Sequence, residues 1–252
     1  MKNTLGVIPA RMASSRFPGK PLKKILNIPM LAHCYERALL SGVCDNLVIA
    51  TPDQEIINWA TQFEIPSVLT SHSHKRATER AKETLDILTN DGLHYDLVLL
   101  LQGDEPQIFP QDIGNLKQAF SNKELEVVNL VFPISDDGLE DPNVVKVALD
   151  KNLTIHFFSR SHIPHDCKIG YRQLGMIGLT KKALNNYVSL LPTSLEEVES
   201  IDMMRLIEND FSIQGVLSSS QILGVDTPQD LKKVEKIMMN DKFVNLYKEK
   251  YI

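Results

Sequence analysis

The run Asp96-Leu-Val-Leu-Leu-Leu101 is the most apolar stretch of the chain. It is too short for a helix, which leaves a central strand buried on both faces. Residues 5–8, 46–50 and 66–70 are further short apolar strands. Between them, residues 29–41, 55–63 and 78–88 read as helices. In the first, Met30, Leu31, Cys34, Ala38 and Leu39 recur at near-helical spacing and Gly42 stops the helix. Strands alternating with helices predict an α/β fold with a mixed, mostly parallel central sheet and helices on both faces.

After Asp104 the rhythm changes. Pro110 opens a helix to residue 120, and residues 127–132 return as a strand. Residues 144–149 and 153–158 read as paired strands around an Asp150-Lys-Asn turn, followed by a strand at 174–179. This is the pattern of a small antiparallel or mixed β subregion inserted in the sheet. Ser194-Leu-Glu-Glu197 reads as a capping box launching a helix to about residue 208. Residues 222–226 read as the last strand. Thr227 then caps a helix that has Pro228 at its first position and runs to about residue 239. With no repeat or linker, residues 1–252 read as a single domain. It comprises a first half of alternating strands and helices (about 1–122), the β subregion (about 123–215), and a returning strand and helix (about 216–240).

The loop leaving the first strand, Ile8-Pro-Ala-Arg-Met-Ala-Ser-Ser-Arg-Phe-Pro-Gly-Lys-Pro-Leu22, carries the cations Arg11, Arg16 and Lys20 and the hydroxyls Ser14 and Ser15. Pro9, Pro18 and Pro21 stiffen it, and Gly19 gives it a hinge. Charge-assisted donors on a stiff loop suit a polyphosphate. The loop is not a triphosphatase P-loop, because Gly19-Lys20 is followed by Pro21 and no glycine stands five positions earlier. Nor is it a dinucleotide fingerprint. The net charge of −5 argues against a nucleic-acid surface, so substrate phosphates have to be met by local cations such as these.

Two carboxylates leave apolar strands: Asp104 in Leu101-Gln-Gly-Asp-Glu-Pro106, and Asp226 in Gly224-Val-Asp-Thr-Pro228. Ligands of open α/β sheets collect at the carboxyl ends of strands. Magnesium in phosphate chemistry takes one or two carboxylates plus substrate oxygens. Either aspartate taken alone could equally cap a turn or a helix.

These segments resemble the signatures of the Kdo cytidylyltransferases (CMP-Kdo synthetases), in the order and spacing of that family. The opening loop matches R-x-x-S-[ST]-R-[LF]-P-G-K-P-L, and Q-G-D-E-P and G-V-D-T-P follow. His74-Lys-Arg-Ala-Thr-Glu-Arg80 stands where the family reads H-x-S-G-T-E/D-R, with Arg76 and Ala77 replacing Ser and Gly. Asp141-Pro-Asn-Val-Val-Lys-Val147 and Phe157-Phe-Ser-Arg160 match as well.

The resemblance implies a Rossmann-like, GT-A-like nucleotide-diphospho-sugar transferase fold. It also implies an enzyme that transfers CMP from CTP to an acidic sugar, Kdo or a relative, for surface polysaccharide. Arg11, Lys20, Asp104 and Asp226 would be catalytic, with Mg2+ on Asp104 and Asp226. Pro9, Ala10, Arg11, Ser14, Ser15, Arg16, Lys20, Arg76, Thr78, Gln102 and Gly103 would bind the nucleotide. Gln102, Arg160, Gln173 and Asp202 would bind the acceptor, in a homodimer.

The acceptor segments depart from the family. Arg172-Gln-Leu-Gly-Met-Ile-Gly-Leu179 replaces R-H-L-G-I-Y-G-Y, and Ile201-Asp-Met-Met-Arg205 replaces L-E-Q-L-R. The sugar-contacting His, Tyr, Glu and Gln thereby become Gln173, Ile177, Asp202 and Met203, which points to an altered acceptor. Two alternatives stand beside this reading. One is a same-fold nucleotidyltransferase giving a CDP-linked product, and the other is a non-catalytic nucleotide-binding homologue.

Cys34, Cys44 and Cys167 are scattered and fit reduced cytosolic thiols. His33, His72, His94, His156, His162 and His165 lack ligand spacing and read as surface or packing residues. Met203, Met204, Met238 and Met239 read as core filling. Met-Lys-Asn-Thr leads straight into the first strand without a signal peptide, and no apolar run is long enough to span a membrane. A cytoplasmic protein is expected.

Overall fold

Five consecutive buried residues begin β1 (Thr4–Pro9), which can lose solvent on both faces because every side chain but that of Thr4 is apolar or absent. The computed structural model describes residues 2–14, 16–135 and 137–251. They divide into two compact units, Met1–Ile113 with Ile222–Ile252, and Gly114–Gln221. The boundaries expected near 122 and 216 thus fall at 113/114 and 221/222.

In the first unit, β2 (Lys24–Ile25) and β3 (Ile28–Pro29) form a small hairpin ahead of α1 (Met30–Leu40). β4 (Asn46–Thr51), α2 (Gln54–Gln62), β5 (Ser67–Leu69), α3 (Ala77–Asn90) and β6 (Leu97–Leu101) follow. Strand order is β5-β4-β1-β6. All neighbours are parallel, with Val7 facing Val48 on one side and Leu100 on the other. The apolar run 97–101 is buried throughout, as a strand covered on both faces must be.

The first nine residues of α1 are buried, including His33, Glu36 and Arg37. Buried polar groups need partners, and the C-terminal tail supplies them. His33 Nδ1 lies 2.7 Å from Tyr247 Oη and its Nε2 lies 2.9 Å from Ile25 O. Arg37 pairs with Asp241, and Glu36 accepts from Lys250 Nζ at 2.9 Å and Tyr251 Oη at 2.5 Å.

α4 (Pro110–Ala119) carries the chain across the unit boundary. The second unit contains β7 (Val127–Ser135), α5 (Asp137–Glu140), β8 (Lys146–Leu149), β9 (Thr154–Ser159) and β10 (Ile169–Thr180). It continues with α6 (Lys181–Ser189), α7 (Ser194–Glu199), α8 (Met204–Ile207) and β11 (Ile213–Leu217). Its strands run β10-β7-β11-β9-β8, and β8 pairs back to β10 at Tyr171 and Val147, so the five close on themselves. Only β7 and β11 are parallel. The expected pairing of residues 144–149 with 153–158 is present.

The single helix expected from Ser194 to about 208 is two short ones. Ser200 takes a left-handed φ of 57°, which ends α7, and Thr193 rather than Ser194 is its N-cap. The two helices are joined by a buried pair. Arg205 donates through Nε (2.7 Å) and Nη2 (2.8 Å) to the two carboxylate oxygens of Glu196, with Tyr187 stacked on the guanidinium at 4.3 Å.

In the first unit again, residues 222–226 are extended but join no strand ladder, so the last strand is β11. Thr227 Oγ1 accepts from Asp230 N at 3.2 Å, and α9 (Pro228–Met238) starts as the Thr-Pro pair predicts. Among the described residues no helix is long and apolar enough to cross a membrane.

Candidate active site

The site starts where β1 stops. Ala10 N still donates to Ala50 O (2.9 Å), but Met12 N turns to the Asp53 carboxylate (2.7 Å) and Gly19 N closes the loop onto Met12 O (2.9 Å). Gly19 has φ +72°, a conformation costly for a residue with Cβ. Phe17 is the loop's anchor. It is buried in a cluster with Ile25, Ile28, Val225 and Val234, so the C-terminal segment and α9 pack beneath the loop. With Phe17 buried, the loop's cations face a cavity of about 300 Å³.

Lys20 is the centre of the wall. Its Nζ donates to Asp104 Oδ2 (2.7 Å), Val225 O (2.9 Å) and Asp226 Oδ1 (3.2 Å), which uses all three ammonium protons. Burial alone would lower its pKa, but the two carboxylates outweigh burial and raise it above the ordinary lysine value. Arg16 reaches the same Asp226 oxygen at 3.0 Å. Asp104 and Asp226, 122 positions apart, thus share one ammonium because the extended segment 222–226 hooks onto the end of β6 through Val225 N and Asp104 O (2.8 Å). Gly103 is required here, since a Cβ would lie 2.8 Å from the Pro9 carbonyl.

The opposite wall is the start of α3. Lys75 N and Arg76 N donate to Glu79 at 3.0 and 3.2 Å, and Lys75, Arg76 and Ala77 line the cavity. Arg80, one turn on, is buried to 4% exposure and fixed by Thr70 Oγ1 and by Ser71 O (3.2 Å). Burial first, and then the charge of Arg11, lower the Arg80 pKa from its ordinary value. Guanidiniums gathered on one cavity suit an anion. Arg11, Arg16, Lys20, Lys75, Arg76 and Arg80 line it against Asp104 and Asp226, so six cations facing two carboxylates leave four positive charges.

Of the residues expected at the nucleotide, Pro9, Ala10, Arg11, Ser14, Arg16, Lys20, Arg76, Gln102 and Gly103 line this cavity with Asp104 and Asp226. Thr78 is fully buried and forms no part of the wall, and Ser15 lies outside the described residues. Lys75 and Arg80 were not among the expected site residues. The signal for Arg80 was its place one turn inside a helix whose start already carried Lys75 and Arg76.

The remaining acceptor candidates belong to the second unit. Arg160 Nε donates to Glu199 O (2.9 Å) and Nη1 to Pro142 O (3.2 Å), both neutral carbonyls. Lys146 is fully buried and donates to the carbonyls of Asp141 (2.8 Å), Val144 (2.8 Å) and Arg160 (2.5 Å), so it pins the chain at Arg160. Gln173 stands at the bulge of β10 and donates to Asn129 Oδ1 at 2.6 Å. Asp202 is half-buried between α7 and α8. Ile177 and Met203 are 4% and 0% exposed.

Residues 5–217 match the family model described as cytidylyltransferase. The chain belongs to that family. Relatives include the 3-deoxy-manno-octulosonate cytidylyltransferase of Thermodesulfovibrio yellowstonii, 36% identical over 93% of this chain and 98% of the relative. Among solved structures, CMP:2-keto-3-deoxy-manno-octonic acid synthetase complexed with CTP superposes with a TM-score of 0.85 at 32% identity, covering 94% of this chain and 98% of the other. A putative glucose-1-phosphate thymidylyltransferase from Bacillus anthracis shares the fold, with a TM-score of 0.71 at 19% identity over 96% and 99% of the two chains. The α/β nucleotidyltransferase fold is thereby established.

The resemblance implies Mg2+. Among the described residues no group of three or more His, Cys, Asp or Glu side chains could hold a metal. Magnesium at phosphate sites takes one or two protein carboxylates and draws its other ligands from substrate and water. Asp104 and Asp226 already flank a common cation, the Lys20 ammonium, and each is about one-third exposed. The donor set fits.

Proposed function

We propose that this enzyme transfers CMP from CTP to 3-deoxy-manno-octulosonate (Kdo), releasing pyrophosphate, with Mg2+ on Asp104 and Asp226. The observation that carries the reading is the cavity's excess of four positive charges around a lysine that grips both aspartates. A nucleoside triphosphate carries about four negative charges near neutral pH, and pre-aligned cations stabilise the pyrophosphate as its charge builds. The relatives named for Kdo and the neighbour complexed with CTP supply the substrates.

In this reading an acceptor hydroxyl oxygen attacks the α-phosphorus, its proton passes to solvent, and the bond to the β-phosphate oxygen breaks so that pyrophosphate leaves. Arg11, Arg16 and Lys20 take the β- and γ-phosphates from the loop side, and Arg76 takes them from α3 together with Lys75 and Arg80. Magnesium, when bound, withdraws electron density from the α-phosphate. Lys20 fixes the separation of the two aspartates before substrate arrives. In this reading Gln102 donates to the acceptor. Such chemistry rests on positioning and charge neutralisation, so no general base is invoked. The remaining parts of the proposal are cytoplasmic action, a homodimer and a product used in lipopolysaccharide or capsule assembly.

The test is pyrophosphate release with Mg2+ over the four ribonucleoside triphosphates and a panel of sugar acids and sugar phosphates. Release with CTP and Kdo is expected. Release only with a sugar phosphate would replace the acceptor, and silence across the panel would contradict catalysis.

A further inference from the structure

The wall of the cavity opposite Lys20 is reached by a short crossing from β5 to α3. Thr70 N still donates to Thr51 O (2.9 Å), so the end of β5 is fixed, and residues 71–76 then lead to the start of α3. His74, Lys75 and Arg76, at the far end of this crossing, line the cavity. Residues 71–73 and 75 are exposed, and 74 and 76 are half-buried. Within the crossing, Ser71 Oγ meets Ser73 Oγ (2.7 Å) and accepts from Ser73 N (3.1 Å). Packing and local turns give such a segment little to hold its shape.

The first turns of α3 supply the hold. Glu83 lies four positions beyond Glu79 and three beyond Arg80, so the three side chains share one face of the helix. Glu79 takes the N–H groups of Lys75 and Arg76, and Arg80 donates to Thr70 Oγ1 and Ser71 O. Glu83 Oε2 accepts from Ser71 N at 2.8 Å and lies 2.6 Å from His74 Nε2. Ser71 is thus gripped at its carbonyl by a base and at its N–H by an acid. The same carboxylate oxygen ties the first residue of the crossing to one that lines the cavity. A backbone N–H bonded to a carboxylate is a charge-assisted bond.

Glu83 itself does not line the cavity. Its charge opposes what a cluster of cations binds, so charge by itself predicts tighter triphosphate binding once the carboxylate is removed. Positioning predicts the reverse. Released from Ser71 and His74, the crossing has more conformations to lose when the ligand arrives, and that ordering is subtracted from affinity. The two effects have opposite signs, so a measurement separates them.

We propose that Glu83 is a positioning residue for the nucleotide. By tying Ser71 to His74 it holds residues 71–76 in the shape that presents His74, Lys75 and Arg76 to the triphosphate. The proposal rests on the reading of the cavity as the CTP site.

The test is equilibrium titration of the full chain with CTP and Mg2+, without acceptor, beside steady-state kinetics with Kdo. Glu83→Ala is expected to weaken CTP binding and raise its KM about tenfold, with kcat within about twofold of wild type. A merely destabilised enzyme would instead lose active molecules, which lowers kcat and leaves KM unchanged. Glu83→Gln keeps a side-chain oxygen facing Ser71 N and His74 Nε2, and should restore CTP binding to within about threefold of wild type. Asp86→Ala, also on α3 and 54% exposed, is the control and should change neither constant. Glu83→Ala binding CTP as tightly as wild type, or more tightly, would overturn the inference and leave the assignment of the cavity intact. Equal weakening in Glu83→Ala and Glu83→Gln would overturn it too, since the hydrogen-bonded shape would then not matter. A wild type that does not bind CTP would contradict the assignment of the cavity, and the inference with it.

Discussion

Lys20 satisfies three acceptors with three protons, and two of them are the carboxylates assigned to the metal. Replacing Asp104 by Asn removes a negative charge from this arrangement while keeping its shape. Asp104→Asn is expected to lower kcat by at least about 100-fold, the scale of losing one pre-aligned electrostatic group. Its thermal midpoint should stay near that of the wild type, because Asp104 is a third exposed and Lys20 keeps Asp226. A steady-state assay beside a melting curve checks both halves. A second residue-scale consequence concerns His33, whose pKa burial lowers from 6.5 to about 4. The folded state holds the ring neutral while the unfolded chain takes up a proton, so stability is full above pH 6.5 and falls as pH drops toward 4. The loss from this group approaches about 1.4 kcal/mol per pH unit within that window. Urea unfolding between pH 7 and 4.5 should show it, with a shallower slope in His33→Gln.

The approach of β6's exit to β1's exit is closed by Gly103, where an added Cβ would meet the Pro9 carbonyl at 2.8 Å. A backbone atom cannot step aside as a side chain can. Gly103→Ala is therefore expected to cost about 1–3 kcal/mol in chemical denaturation and to move Asp104 out of reach of Lys20. In the second unit, the Glu196–Arg205 pair is almost fully buried and holds α7 to α8. Glu196→Ala leaves a buried guanidinium without its carboxylate and should destabilise the fold by about 3–5 kcal/mol, read by the same denaturation. These elements also show where the sequence was legible. The parallel strands could be read because burial on both faces demands uninterrupted apolar residues, as at Leu97–Leu101. The helix after Thr227 could be read because its cap is local chemistry. Residues 222–226 look like a strand for the same apolar reason, yet they join no ladder and hook onto Asp104 O through Val225 N, and no local pattern distinguishes the two. The break at Ser200 was equally hidden, because a serine in the left-handed region carries no local signal, and the Glu196–Arg205 pair spans the turn.

For the whole molecule, the first unit is completed by chain from both ends of the sequence. Asp226 comes to Lys20, and the tail comes to α1, only when residues 222–251 pack on the opening loop. The loop, the two aspartates and Arg76 were readable in advance because each lies in a dense local motif. The partnership of the aspartates through one ammonium was not, since it depends on residues far apart in the chain. A site with four excess positive charges should gain stability from its triphosphate. CTP with Mg2+ at about 100 times its dissociation constant is expected to add about 2.7 kcal/mol, seen as a raised thermal midpoint that shrinks in high salt. The most direct test of the account is a phosphorus NMR time course of the enzyme with CTP, Kdo and Mg2+. The account predicts that the triphosphate signals give way to one phosphodiester and equimolar pyrophosphate. Unchanged CTP, or its conversion to CDP and orthophosphate, would contradict it.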